Sequence, residues 1–201
     1  MERHMGPHFQ IPPGSLDALV TFTTLVSIVV YDRLYVKAVR SLPTRIGIGL
    51  LVQELTMATA SATESRRLSY ARSYGLDVTG GKLGLSIFVL LPQFVLMGLA
   101  DVFLVVGKIE FFYEQAPEGM ESLGTAMSLT AYGVGDFLSS FLPSLVSRVT
   151  REKGDHWVAN NLNASHLDYY YVFLVLLAAI NCAAFVVLAH WYKYRVESVG
   201  Q

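Results

Sequence analysis

Apolar residues gather along this chain in five runs, each parted from the next by a polar stretch. The runs cover residues 15–31, 46–63, 83–107, 122–146 and 169–191. A helix of about 20 mostly apolar residues crosses the hydrocarbon core of a bilayer, and each run approaches that length. The third (LGLSIFVLLPQFVLMGLADVFLVVG) and the fifth (YYYVFLVLLAAINCAAFVVLAHW) are the strongest. The first is shorter and clean apart from Asp17 near its start. The second and fourth are weaker alone, because Glu54 interrupts one, Asp136 interrupts the other, and small polar residues are frequent in both. Small residues suit membrane helices, which approach closely where lipid supplies no hydrophobic drive between them. Gly124 and Ser128 form such a pair, although no strict GxxxG is present. Tyr169, Tyr170 and Tyr171 at one end of the fifth run and Trp191 and Tyr192 at the other bracket it as interfacial aromatic belts do. The pattern predicts an all-α integral membrane protein with five transmembrane helices and a lipid bilayer as its surroundings. A soluble all-helical core is disfavoured, because five such runs leave little polar surface to cover them.

Composition agrees with that pattern. Of 201 residues, 53% are hydrophobic and 15% charged, against about 25% charged in a typical soluble domain. The net charge of −1 gives no argument for nucleic acid or an acidic partner. The single cysteine, Cys182, lies inside the fifth run and reads as a small packing residue. The first residues, MERHMGPHFQIPPGS, lack the short apolar core of a signal peptide, so insertion is expected to rest on the internal runs. Counting basic residues on alternate sides gives six against eight, too close to orient the chain.

The chemistry stands where the hydropathy makes it costly. Burying an ionisable group in a bilayer costs about 2.5–3.5 kcal/mol on insertion scales, so such groups face a cavity or a partner. Asp101 and Lys108 are seven residues apart, two turns of an α-helix, which predicts one shared face. About 10 Å of rise separates their backbones, so a polar cavity serves both better than a closed ion pair. Glu110 is expected near the helix end, at the water boundary. Glu54 and Asp136, each mid-run, are further candidates for a proton or substrate pathway, or for contact with a neighbouring helix. His4 and His8 are four apart, but Gly6 and Pro7 between them argue against a helix and a metal. His156 and His166 share a polar stretch without metal-ligand spacing. No metal or cofactor is expected, and no GxSxG, HExxH or P-loop pattern points to an enzyme. Asn163-Ala164-Ser165 is a glycosylation sequon by pattern, but it lies close to the fifth run.

Several stretches together carry a resemblance: FQIPPGSL, YDR at residues 31–33, RIGIGL at 45–50, LLPQFVLMGLAD, GKIEFFYEQAPEGMESLGTA and NNLNASHLDYYY. Their order and spacing resemble, over nearly the whole chain, the C-terminal part of plant nitrate/peptide transporters, a branch of the proton-coupled oligopeptide transporters within the major facilitator superfamily. The resemblance implies a twelve-helix fold of two six-helix bundles, of which this chain would supply helices eight to twelve. Helices one to seven and the ExxER proton-coupling motif of the first helix have no counterpart here, so a truncated product or fragment is expected. Two departures stand out. The stretch RSLPTR at residues 40–45 is shorter than the family's, and Glu54 replaces an apolar or small residue, which is expected to disturb packing.

By the same resemblance, Met1 and the residues up to Pro13 lie outside and residues 33–45 in the cytosol, with the remaining connections alternating. The membrane would be the plasma or vacuolar membrane. The implied function is proton-coupled symport of a small solute such as a di- or tripeptide or nitrate. Asp101 stands at the acidic position of helix ten that faces the central cavity and helps hold substrate, and Lys108 would be a cavity or gate residue two turns nearer the cytosol. Asp101, Glu54 and Asp136 are the proton-coupling candidates. A different class of reading is a non-transporting protein that docks on a full-length relative and regulates it.

Overall fold

The computed structural model describes residues 15–35, 37, 39, 41–74, 87–152, 157 and 166–192. His4, His8, His156 and the Asn163 sequon lie outside those residues. The described residues are helical rods without strands. Helix α1 (Ser15–Val30) runs on into a π turn, Tyr31–Tyr35. Helix α2 is Leu42–Ser73. The third rod begins as a 3-10 turn (Ile87–Leu90), continues as α3 (Leu91–Asp101), widens into a π turn (Val102–Val106) and finishes as α4 (Gly107–Gln115). Helices α5 (Glu121–Glu152) and α6 (Leu167–Trp191) follow.

The helix starts follow from the sequence. Proline lacks the N–H that a first turn leaves unpaired and presets the helical φ; Pro43 and Pro92 open α2 and α3 in this way. The turn between α4 and α5 is built by the APEGM stretch. The N–H of Met120 donates to the carbonyl of Pro117 at 2.9 Å, and Gly119 takes a φ of 80°. That is the third position of a type II turn, which requires positive φ. The carboxylate of Glu121 accepts the Gly119 N–H at 3.2 Å and holds the turn against the start of α5.

The helices outrun the apolar runs, and the polar connections expected from hydropathy are correspondingly shorter. Residues 64–73, expected as a loop, are the last turns of α2, with Leu68 and Ala71 buried and Glu64 paired to Arg67 at 2.6 Å. Residues 110–115 are the end of α4 rather than the start of a Glu-rich loop, and α5 continues to Glu152. Polar residues end the stretch that suits lipid. They do not end the helix, whose backbone bonds are local and indifferent to the solvent of the side chains.

Three rods are long and apolar enough to cross a membrane on that measure alone: Ala18–Tyr35, Phe88–Gln115 and Leu167–Trp191. Helices α2 and α5 match them in length but carry more polar residues. Helix α2 is the centre of the packing, with α6 on one side and the third rod on the other; α1 lies against α3, and α4 against the beginning of α5. One buried cluster is Tyr31, Val102 and Phe103, ringed by Tyr35, Ile48, Leu99 and Val106. Phe103 receives Tyr31 and Tyr35 edge-to-face, with ring centres 5.2 and 5.0 Å away. Small residues set the closest approaches. A Cβ on Gly98 would lie 2.9 Å from the Val20 carbonyl of α1, and one on Gly124 would collide with the Phe112 carbonyl of α4. Gly124 and Ser128 are both buried, so the small-residue pair in the sequence is the face by which α5 meets α4.

Candidate functional site

The third rod places the ionisable residues, and its π turn decides how they relate. Asp101 is the last residue of α3 and Lys108 the second of α4, with Val102–Val106 between them. A π turn takes one residue more than an α turn. Everything beyond it is therefore rotated by about 100°, one residue's share of a helical turn. The shared face expected from the seven-residue spacing is lost, and Lys108 is turned away from Asp101 toward α5.

There the Lys108 ammonium lies over the ring of Tyr132, 4.2 Å from its centre. Asp136, one turn along α5 from Tyr132, is the charge that acts on Lys108. A cation held over an aromatic face is stabilised by about 0.5–2 kcal/mol, the larger figure when desolvated. The structure thus brings together Lys108 and Asp136 across the α4–α5 contact, with Tyr132 as a third member that sequence reading did not single out. Asp136 itself is exposed, as are its neighbours on α5 from residue 129 to residue 141. Asp101 is half-buried, and among the described residues none hydrogen-bonds to it or pairs with it. Glu54 is on α2, half-buried, with Oε2 shielded from solvent and bonded to nothing among the described residues. Helix α2 runs unbroken through it, so the unusual residue does not interrupt the element.

Glu110, in the last turns of the third rod, is held by a partner as well as partly exposed. Arg45, in the first turn of α2, donates from Nη1 to both Glu110 oxygens, at 2.9 and 2.8 Å, and to the Tyr31 hydroxyl at 3.3 Å. The Arg45 side chain is 6% exposed and that of Glu110 27%. One guanidinium therefore ties the end of the first rod, the start of the second and the last turns of the third. Sequence reading missed this network, although its signal was present: Tyr31, Arg45 and Glu110 come one each from YDR, RIGIGL and GKIEFFYEQ.

The described residues contain no group of three or more His, Cys, Asp or Glu that would hold a metal. Two apolar grooves flank the α2–α6 contact, about 450 Å³ each. One is lined by Ile46, Phe111, Phe185 and Trp191 and the other by Gly47, Leu51, Cys182 and Phe185.

A family model described as POT family matches residues 1–159. Protein NRT1/PTR FAMILY 5.2 of Arabidopsis thaliana is 50% identical to this chain, covering 98% of it and 36% of the relative. Protein NRT1/PTR FAMILY 5.3 of the same plant is 47% identical over 98% of the chain, and FAMILY 8.2 is 40% identical over 97%. The chain spans little more than a third of the length of these relatives, 35–36% in each. Among solved structures, the crystal structure of an auto-inhibited POT family peptide transporter shares the fold. Its TM-score is 0.65 over 99% of this chain and 37% of that one, at 16% identity. These relatives are membrane transporters rather than enzymes. With the family match over residues 1–159 and identities up to 50%, the all-helical chain with its charged third rod belongs to the POT family.

Proposed function

We propose that this chain supplies helices eight to twelve, in the C-terminal bundle, of a twelve-helix proton-coupled symporter for a small solute such as a di- or tripeptide or nitrate. Asp101 lies at its substrate cavity, Lys108 at the flank of that cavity, and Asp101, Glu54 and Asp136 are the groups available to protons. The observation that carries the reading is Asp101: a carboxylate inside the Phe88–Gln115 span to which no described residue is bonded. A charge that costly to place is retained where a cavity, a proton or a substrate meets it. Substrate sites of such transporters lie near the midplane between two helix bundles, which rock against each other, and one bundle alone has no partner to rock against.

Two measurements test this. In a twelve-helix parent carrying these residues, Asp101→Asn keeps the size and removes the charge. Uptake of labelled dipeptide or nitrate is expected to lose at least about tenfold in affinity, or its dependence on the proton gradient, with membrane insertion unchanged; normal uptake at every pH overturns the role of Asp101. The 201-residue chain expressed alone is expected to give no uptake above background, and uptake there overturns the need for the second bundle.

A second reading is favoured by one feature. The middle of α5, residues 129–141, is exposed on all sides and carries Asp136 and two serines. A protein that docks on a full-length relative and regulates it would cover that surface. Co-purification of the chain with a full-length relative, lost on Asp136→Leu, supports this reading.

A further inference from the structure

At the far end of the α2–α6 contact, one imidazole nitrogen stands between two partners that require opposite things of it. Nη2 of Arg72, in the last turn of α2, is 3.1 Å from Nδ1 of His166, the residue that precedes α6. Arginine only donates, so this contact requires Nδ1 to accept, and the ring to be neutral with its proton on Nε2. The same Nδ1 is 3.8 Å from Oδ1 of Asp168. That oxygen is buried and, among the described residues, has no hydrogen-bond partner. A carboxylate oxygen only accepts, so it is satisfied by Nδ1 only when Nδ1 carries a proton.

We propose that His166 is a proton-binding switch at the end of the α2–α6 contact, separate from the acidic candidates of the transport cavity. Neutral, the ring takes the Arg72 hydrogen bond and ties the end of α2 to the start of α6. Protonated, it presents N–H toward the Arg72 guanidinium, which repels it, and closes the remaining gap to Asp168. The proton thus exchanges a bond between two helices for one within the first turn of α6. The stakes at this point are high, because α2 is the element against which α6 makes most of its contact.

The surroundings of the ring are few. Tyr169 stacks on it, ring centres 5.3 Å apart, and the Trp157 ring lies 5.8 Å from that of Tyr169. From α2 the charged residues facing α6 are Arg72 and, further back along the helix, the Glu64–Arg67 pair, beside Tyr171. On α6 the charged neighbour is Asp168.

The stack supplies the readout. The full 201-residue chain in lipid nanodiscs would carry Trp191→Phe, so that Trp157 is the sole tryptophan, and His156→Gln, so that no second imidazole adjoins it. Trp157 emission is expected to change with pH through a single midpoint, and to become flat in His166→Gln. Arg72→Gln should raise the midpoint, since the neutral ring loses its donor and the imidazolium its repelling neighbour. Asp168→Asn should lower it, since the imidazolium loses its acceptor. These two opposite movements decide the matter even if His166→Gln folds poorly. Emission independent of pH from 5 to 8, an unchanged midpoint in His166→Gln, or movement of both partner variants in the same direction overturns the switch.

Discussion

At the scale of single residues, the Arg45–Glu110 pair joins two rods through a buried guanidinium, and its energetics are lopsided. Burying a guanidinium is costly, and the carboxylate roughly repays that cost; removing one partner leaves the other without compensation. Glu110 retains some access to water, which softens the loss. Glu110→Gln is therefore expected to destabilise the chain by roughly 1–3 kcal/mol, seen as a lower thermal midpoint in detergent. Arg45→Met removes the buried charge itself and should cost less than Glu110→Gln. Tyr31→Phe removes the longest of the three bonds and should cost under about 1 kcal/mol. If Arg45→Met proves the more damaging, packing of the arginine stem rather than charge holds the three rods together. The quoted stretches marked these residues but not their pairing, because the pair is separated by 65 residues and ion pairing depends on which helix faces meet, which hydropathy does not state.

Among whole elements, sequence and structure agree where the physics is local and part company where it is not. The five rods were legible because a run of apolar residues and a helix that hides its backbone bonds from lipid are the same requirement. Their ends were less so, since Leu68 and Ala71 are buried against neighbours within a stretch that reads as charged. The π turn at Val102–Val106 was not legible, and it overturned the one geometric inference drawn from spacing, the common face of Asp101 and Lys108. Val102 and Phe103 sit buried in that turn, and a Cβ on Gly49 of α2 would lie 2.7 Å from the Phe103 Cβ. The wide turn presses directly against a glycine. Helix contacts of this closeness give a direct prediction. Gly124→Leu must displace the backbone of Phe112, and Gly98→Leu that of Val20; each is expected to cost about 1–3 kcal/mol and to lower the thermal midpoint. Gly133→Leu meets open space, with nothing within 4 Å, and should leave the midpoint unchanged in the isolated chain. Since leucine is the better helix former, an equal rise at all three positions would mean that propensity, rather than contact, governs.

Over the whole molecule, two kinds of exposed surface must be told apart. Helix α6 turns Leu176, Ile180 and Val187 outward on one face, side chains that offer only hydrocarbon and that lipid satisfies. Helix α5 is also exposed between residues 129 and 141, but there Phe137, Leu138 and Phe141 alternate with Asp136, Ser139 and Ser140. A carboxylate facing hydrocarbon costs several kcal/mol, so this surface wants protein or water against it. The serines do not remove the difficulty, since the Ser140 hydroxyl already donates back to the Asp136 carbonyl at 3.0 Å. Cysteine labelling separates the two surfaces. With Cys182 replaced by alanine, Ile180→Cys is expected to resist a water-soluble maleimide whether the chain is alone or part of a twelve-helix parent, because lipid covers it in both. Asp136→Cys should label readily in the chain alone and, on the twelve-helix reading proposed above, at least about tenfold more slowly in the parent, where a second bundle would cover it. Equal labelling of Asp136→Cys in both settings would place α5 against water in the complete protein as well, and would move the cavity from the Asp101 side of the third rod to the Lys108–Asp136 side.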